Sequence, residues 1–236
     1  MMFTIPGCFK ANHMNYNLLF LTMGTAAVNW VASAKDWKKL VYITKPGTML
    51  VLLAWLWQVS HFQGTMIWFA AALIFSLAGD VFLMLPREQF IAGLISFLLG
   101  HIAYTIGLMP TLPKINLASF FVALLVGITA LRLYRRIAAG LNASGQQKMK
   151  IPVLIYTLAI GVMVTAALLT MVMPSWNTLA SLVTSTGAIF FLISDSLLAW
   201  DRFVAPIKNR NLTVMATYHL GQIGLVFGAV LNFIVA

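Results

Sequence analysis

The sequence predicts an all-α integral membrane protein of about eight transmembrane helices, folded as a single membrane domain over residues 1–236. Hydrophobic residues make up 61% of the chain and charged residues only 8%, against roughly 25% charged residues in an ordinary soluble domain. Apolar runs long enough to cross a bilayer follow one another along nearly the whole chain. Little length is left for a soluble domain, so we expect the functional site to lie among the helices.

The apolar runs are predicted to be helices because lipid cannot satisfy bare backbone groups. A short N-terminal tail, residues 1–15, precedes them. The predicted spans are 16–34, 46–62, 65–85, 89–110, 115–134, 151–173, 176–200 and 212–236.

Basic residues concentrate in every second connector and so predict the orientation of the spans. The first, fifth and seventh connectors are rich in lysine and arginine. The even-numbered connectors together contain one basic residue, Lys114. By the positive-inside rule the odd-numbered connectors are cytoplasmic. Both chain termini are therefore predicted to lie outside.

The formal net charge of +10 does not indicate nucleic-acid binding. The basic residues form short clusters between apolar runs, where they contact anionic membrane lipid, and no basic face is predicted on any soluble unit. The single cysteine, Cys8, rules out an intrachain disulfide and a cysteine-based metal cluster.

An internal repeat links the two halves of the chain. Residues 74–83 and 189–198 share the pattern I-F-x-L-x-[GS]-D-x-x-L, which brings Asp80 and Asp195 into register. The spans that follow carry His101 and His219 at loosely matching places. We predict two parallel four-helix repeats around a central polar cavity.

Asp80 and Asp195 are the acidic residues that fall within predicted spans. The other three acidic residues lie in predicted connectors: Asp36, Glu88 and Asp201. A charged aspartate within a span costs at least about 2.5 kcal/mol, so such residues usually face a polar interior and mark function. The alternative is that each aspartate is an interfacial residue paired with a nearby base, such as Lys45 or Arg87.

Two carboxyl groups at similar depth in a low-dielectric interior divide into one that holds a proton and one that stays ionised. That is the division between general acid and general base in hydrolases that use carboxylate pairs. Which aspartate takes which part stays open at the level of sequence.

Further polar residues are candidates for the same cavity. His101 and Tyr104 lie three apart in the fourth predicted span and share a helix face. Tyr218 and Gln222 lie four apart in the eighth, with His219 beside them. We expect these side chains to bind substrate; the alternative is that they form hydrogen bonds that pack the helices together.

Other chemistries find weaker support in the sequence. Two histidines and two aspartates are possible zinc ligands, but no H-E-x-x-H motif occurs and the histidines lie on different helices, so no metal is predicted. No G-x-S-x-G elbow and no Walker or dinucleotide glycine loop is present. Two alternatives stay open: a proton-coupled transporter that uses the same aspartates, and a zinc-dependent lipid amidase or esterase.

The sequence resembles the YhhN family of membrane proteins over nearly all the chain beyond the first span. The resemblance rests on Lys45-Pro46, on residues 75–80, 93–104 and 187–195, and on Tyr218 with Gln222. It implies a lysoplasmalogenase, which hydrolyses the vinyl-ether bond of a lysoplasmalogen to a fatty aldehyde and glycerophosphoethanolamine or glycerophosphocholine. It also implies that Asp80 and Asp195 are the catalytic residues.

The predicted carboxylates suit that reaction. Protonation of a vinyl ether at its terminal alkene carbon generates an oxocarbenium ion, which water attacks, so the reaction needs one carboxylic acid and one carboxylate, as in glycosidases. It requires no metal and no cofactor. A lysophospholipid from the cytoplasmic leaflet is expected to place its headgroup near Lys45 and its chain among the helices. The expected location is a bacterial inner membrane.

Overall fold

The computed structural model describes residues 15–86, 89–111 and 116–235, and within these ranges the chain is helical with no strand. The predicted N-terminal tail lies almost wholly outside the described residues. The described α-helices are α1 (Asn17–Ala34), α2 (Lys38–Ser60), α3 (Met66–Met84), α4 (Phe90–Leu108), α5 (Leu117–Ala143), α6 (Lys150–Leu169), α7 (Thr178–Phe203) and α8 (Arg210–Val230).

The prediction of an all-α integral membrane protein is confirmed. Seven of the described helices, α2 to α8, are long and apolar enough to cross a membrane. The first predicted span, α1, forms an 18-residue helix but is not among them. Its apolar character is diluted by fully buried Thr22 and Asn29, and the Asn29 side-chain amide donates to the Thr44 hydroxyl of α2 at 2.8 Å.

Helix α2 begins earlier than the second predicted span. We expected the second span to begin at Pro46, but α2 begins at Lys38 and runs through the proline, so Lys45 belongs to a helix and not to a connector. The hydroxyls of Thr44 and Thr48 donate to backbone carbonyls one turn earlier, at 2.8 Å each, on either side of the proline. Proline is tolerated within membrane helices, and Pro46 therefore does not mark the start of this one.

The fifth helix is longer than the predicted span, whereas the eighth candidate span runs from Arg210 to Val235, close to the predicted 212–236. Helix α5 continues to Ala143, so Arg132, Arg135 and Arg136 extend along a helix where we expected a connector to begin soon after residue 134. Helix α8 passes at Leu231–Val235 into one π-helical turn.

Helices α7 and α8 approach each other most closely where both carry glycine. A Cβ atom added to Gly187 would lie 2.6 Å from the backbone nitrogen of Leu225 and 2.7 Å from the carbonyl carbon of Gly224. Small residues let helix backbones meet in this way in membranes, where packing replaces the hydrophobic effect as the source of association. Residues of both helices, Asp195 of α7 and Tyr218 of α8 among them, line one cavity.

Helices that follow one another in the chain pack together: α1 on α2, α3 on α4, α5 on α6 and α7 on α8, with α2 against α3 and α6 against α7. Between the halves, α4 packs on α6, and α8 packs on both α1 and α2. The last helix of each half therefore contacts the second helix of the other. The two four-helix repeats stay a prediction, and so does the orientation with both termini outside.

Candidate active site

Asp80 lies in the last two turns of α3 and is 1% exposed. Its Oδ1 atom forms an ion pair with Nζ of Lys45 on α2 at 3.0 Å, and its Oδ2 atom accepts a hydrogen bond from the Tyr218 hydroxyl on α8 at 2.8 Å. A buried charge is tolerated only where a partner compensates its lost hydration. The lysine and the carboxylate compensate each other, and together they define a charged site within the helix bundle.

Asp195 lies in α7 and has different partners. Its Oδ2 atom accepts a hydrogen bond from the Tyr156 hydroxyl on α6 at 2.5 Å and lies 3.2 Å from Nε2 of His101 on α4. The same imidazole nitrogen is 3.0 Å from the tyrosine oxygen, so the three groups form a closed triangle. Within the described residues no lysine or arginine forms an ion pair with Asp195. The partners of its carboxyl group are therefore a phenol and an imidazole, where Asp80 has an ammonium group.

The two aspartates line one cavity of about 350 Å³. Lys45 and Tyr218 line it beside Asp80, so an ion pair, a phenol and a second carboxyl group face the same space. The cavity is also lined by polar residues at the start of α2 and α8 and in the connector before α2. These are Lys38, Arg210, Asn211 and Asp36.

The remaining predicted site residues do not line this cavity in the described part of the chain and contact other side chains instead. The Tyr104 hydroxyl donates to Oε1 of Gln222, joining α4 to α8, and Nδ1 of His219 accepts a hydrogen bond from Nε1 of Trp30 at 3.1 Å. These four side chains and His101 are absent from the cavity lining in the part of the chain that the structure describes. That the predicted site residues among them bind substrate stays a prediction. The hydrogen bonds they form in the structure join side chains of different helices.

Sequence reasoning missed Tyr156. It stands in an apolar run where a tyrosine is indistinguishable from an ordinary buried aromatic. The predicted internal repeat is a signal for this residue. In the repeat, α6 corresponds to α2, and α2 supplies Lys45 as the partner of Asp80. A polar partner for Asp195 was therefore to be expected from α6, and Tyr156 is that partner.

The described residues contain no group of three or more histidine, cysteine, aspartate or glutamate side chains arranged to hold a metal ion. His101 and Asp195 form one pair, whereas His219 contacts Trp30 and Asp80 contacts Lys45 and Tyr218. The four candidate zinc ligands therefore do not form one cluster: two contact each other, and the other two each contact other residues.

Fold and site together define a multi-pass helical membrane protein with two carboxyl groups facing one internal cavity. The chain belongs to the YhhN family, whose model matches residues 40–229. Helix α1 lies outside the matched residues, whereas both aspartates and all their partners lie within them. The family expected from the sequence is confirmed.

Several relatives carry the name lysoplasmalogenase. The chain is 30% identical over 187 residues to lysoplasmalogenase TMEM86B of Mus musculus, covering 78% of this chain and 73% of the relative. It is 27% identical over 191 residues to lysoplasmalogenase TMEM86A of Homo sapiens, covering 76% and 75%. A lysoplasmalogenase of Mycobacterium tuberculosis is 28% identical over 168 residues, covering 68% and 59%. No solved structure matches the chain.

Proposed function

We propose that this protein is an intramembrane hydrolase that cleaves the vinyl-ether bond of lysoplasmalogens by acid–base catalysis with Asp80 and Asp195. The observation that carries the proposal is that two carboxyl groups from different halves of the chain line one cavity, one paired with a cation and the other not. The names of the relatives support the substrate class. The predicted location in a bacterial inner membrane stays a prediction.

The reaction divides into a protonation and a hydration. A proton adds to the alkene carbon remote from the ether oxygen, and the electron pair of the double bond forms the new C–H bond and leaves an oxocarbenium ion. Water adds to that ion and loses a proton, giving a hemiacetal. The hemiacetal hydroxyl then loses its proton and forms the carbonyl as the C–O bond to the glycerol oxygen breaks. That oxygen takes up a proton, and the products are a fatty aldehyde and a glycerophospho-alcohol.

Asp195 is suited to be the general acid. Among the described residues it forms no ion pair with a lysine or arginine, whereas Asp80 pairs with Lys45. Tyr156 and His101 both contact its Oδ2 atom, at 2.5 and 3.2 Å, and both carry exchangeable protons. They fix the carboxyl group and offer a route for returning its proton after each turnover.

Asp80 is suited to be the carboxylate that stabilises the oxocarbenium ion and accepts a proton from water. The Lys45 ammonium favours its ionised form, and the Tyr218 hydroxyl orients Oδ2 at 2.8 Å. Preorganised charges of this kind lower a barrier without having to reorient during the reaction. Lys45 and Lys38 also line the cavity, where they would attract the phosphate of the headgroup.

The proposal is tested by aldehyde release from detergent-purified protein supplied with lysoplasmenylethanolamine, with the matching acyl lysophospholipid as control substrate. Aldehyde is expected from the vinyl ether alone, and Asp80→Asn and Asp195→Asn should each reduce it by at least about a hundredfold, in the range of general acid–base contributions. Asp201→Asn is the matched control, because Asp201 itself does not line the cavity. Its partner Arg210, at 3.0 Å, does line the cavity, so this variant also measures what loss of that ion pair does.

Full activity in either cavity variant would contradict the assignment of the two aspartates. No turnover of either lipid by folded protein would contradict the hydrolase itself. In that case pH-driven solute flux into reconstituted vesicles is the next measurement, because a proton-coupled transporter also uses membrane carboxylates.

A further inference from the structure

A second, apolar pocket adjoins the polar cavity at Asp195. It has a volume of about 60 Å³ and is lined by hydrophobic side chains of α4, α5, α6 and α7, with Asp195 as its acidic residue among those described. Phe90, Phe97 and Leu198 line both spaces, as does Asp195 itself. The carboxyl group that we propose as the acid therefore stands at a border between a polar and an apolar compartment.

Beyond this pocket a larger groove of about 480 Å³ runs between α5 and α6, and its walls are almost entirely apolar. Thr157 of α6 lines both the pocket and the groove, so the two spaces adjoin. From Thr157 to Leu169, both of which line the groove, α6 rises by roughly 18 Å at 1.5 Å per residue.

Small residues on the two helices keep the groove open. A Cβ atom added to Gly127 of α5 would meet nothing within 4 Å, and one added to Gly161 of α6 would meet only Ala130 and Val126, at 3.9 Å. Helix α5 is also the most peripheral of the spanning helices, and its described buried residues are Val126, Ile137 and Leu141. The groove is thus an open apolar space between α5 and α6.

We propose that this pocket and groove bind the hydrocarbon chain of the lipid substrate and so determine which chain lengths the enzyme accepts. The inference rests on the proposed hydrolase function and deepens it. The scissile ether bond is the point where the polar glycerophosphate headgroup joins the apolar chain. A substrate with its headgroup in the polar cavity and its chain in the groove places that bond at Asp195, where the two compartments meet.

Because the groove is apolar, its length and width are expected to determine which hydrocarbon chains bind. A lipid tail gains no hydrophobic free energy on moving from the bilayer to an apolar groove, because both surroundings exclude water. Selection must therefore come from packing, which depends on the length and width of the groove. A side chain that fills the groove should exclude long chains and leave short ones unaffected.

The test compares a long-chain and a short-chain vinyl-ether lysophospholipid in wild-type protein, Gly127→Phe and Gly24→Phe. Gly24 of α1 is the matched control, because a side chain added there also meets nothing within 4 Å and it lies outside all three spaces. Gly127→Phe is expected to lower kcat/KM for the long chain by roughly tenfold or more while that for the short chain changes little, in line with the discrimination that apolar pockets achieve. Gly24→Phe should match wild type on both substrates.

An unchanged preference in Gly127→Phe, or equal loss on both substrates in folded protein, would overturn the chain-binding proposal while leaving the hydrolase standing. Wild-type protein that turns over neither substrate would instead contradict the proposed function.

A second readout needs no turnover. An alkyl-ether lysophospholipid with a photoreactive group at the end of its chain should label peptides of α5 and α6, and unlabelled alkyl lysophospholipid should compete. Labelling outside α5 and α6 would mean that the chain binds elsewhere. Labelling that unlabelled lipid does not reduce would mean that the groove holds ordinary bilayer lipid. Either result would overturn the proposal.

Discussion

The Tyr218 hydroxyl of α8 donates a hydrogen bond to Asp80 of α3 at 2.8 Å, which joins the last helix of one half of the chain to the carboxyl group of the other. The converse contact is made by His101 of α4, whose imidazole lies 3.2 Å from Asp195 of α7. The second helix of its own half supplies each aspartate with a further partner, Lys45 or Tyr156. Neither half holds a complete site, so the site depends on how the halves meet.

Removing the hydroxyl of Tyr218 should weaken catalysis without unfolding the protein. A hydrogen bond to a charged group contributes about 1.5–3 kcal/mol, so Tyr218→Phe is expected to lower kcat by roughly ten- to a hundredfold. Steady-state aldehyde release measures the effect. Tyr16→Phe is the control, since Tyr16 is 37% exposed at the start of the described chain. Equal rates in both variants would mean that the hydroxyl does not act on Asp80 during turnover.

Tyr156 and Asp195 should behave as one unit. Tyr156→Phe alone is expected to reduce activity by roughly tenfold, because it removes the shortest hydrogen bond to the carboxyl group. In Asp195→Asn the same substitution should have little further effect, since neighbours that share one function give non-additive changes. Purely additive losses in the double variant, measured by the same aldehyde assay, would show that the two residues act independently.

Lys45 should contribute to stability through Asp80. Lys45→Met leaves the buried carboxylate without its cation, and breaking one partner of a buried ion pair costs about 3–5 kcal/mol. Thermal unfolding in detergent should show a clear loss of stability in this variant. Adding Asp80→Asn should recover most of it, because no uncompensated charge then remains buried. A Lys45→Met protein as stable as wild type would contradict the ion pair.

The close contact of α7 with α8 should not tolerate a single added methyl group. Gly187→Ala places a Cβ atom 2.6 Å from backbone of the facing helix, and separating the helices to relieve such overpacking typically costs about 1–3 kcal/mol. Gly24→Ala is the matched control and should stabilise by up to about 1 kcal/mol, since alanine favours the helix and space is open there. Unfolding temperatures in the same detergent compare the two. A Gly187→Ala protein at least as stable as Gly24→Ala would contradict the contact.

Most of the charged part of the site was predictable because charge within a membrane span is conspicuous. Asp80 and Asp195 stand out in apolar runs, and the repeated pattern around them predicted a shared location. Tyr156 was not predictable in this way, because a tyrosine costs little to bury and is common in apolar helices. Pro46 led to the opposite error: proline often marks the start of a helix, but here it lies inside α2, as proline can in a membrane helix.

By itself the sequence determined that the chain is a bundle of membrane helices with two carboxyl groups at matched positions within the spans. The apolar composition indicates a lipid environment, and lipid permits only a backbone that satisfies its own hydrogen bonds. Helical periodicity also determined that His101 and Tyr104 share a face. Only the tertiary structure decided that His101 contacts Asp195 whereas Tyr104 contacts Gln222. The physical reason is that periodicity fixes where a side chain lies on its own helix, whereas its partner depends on which helix packs against that face and at what height.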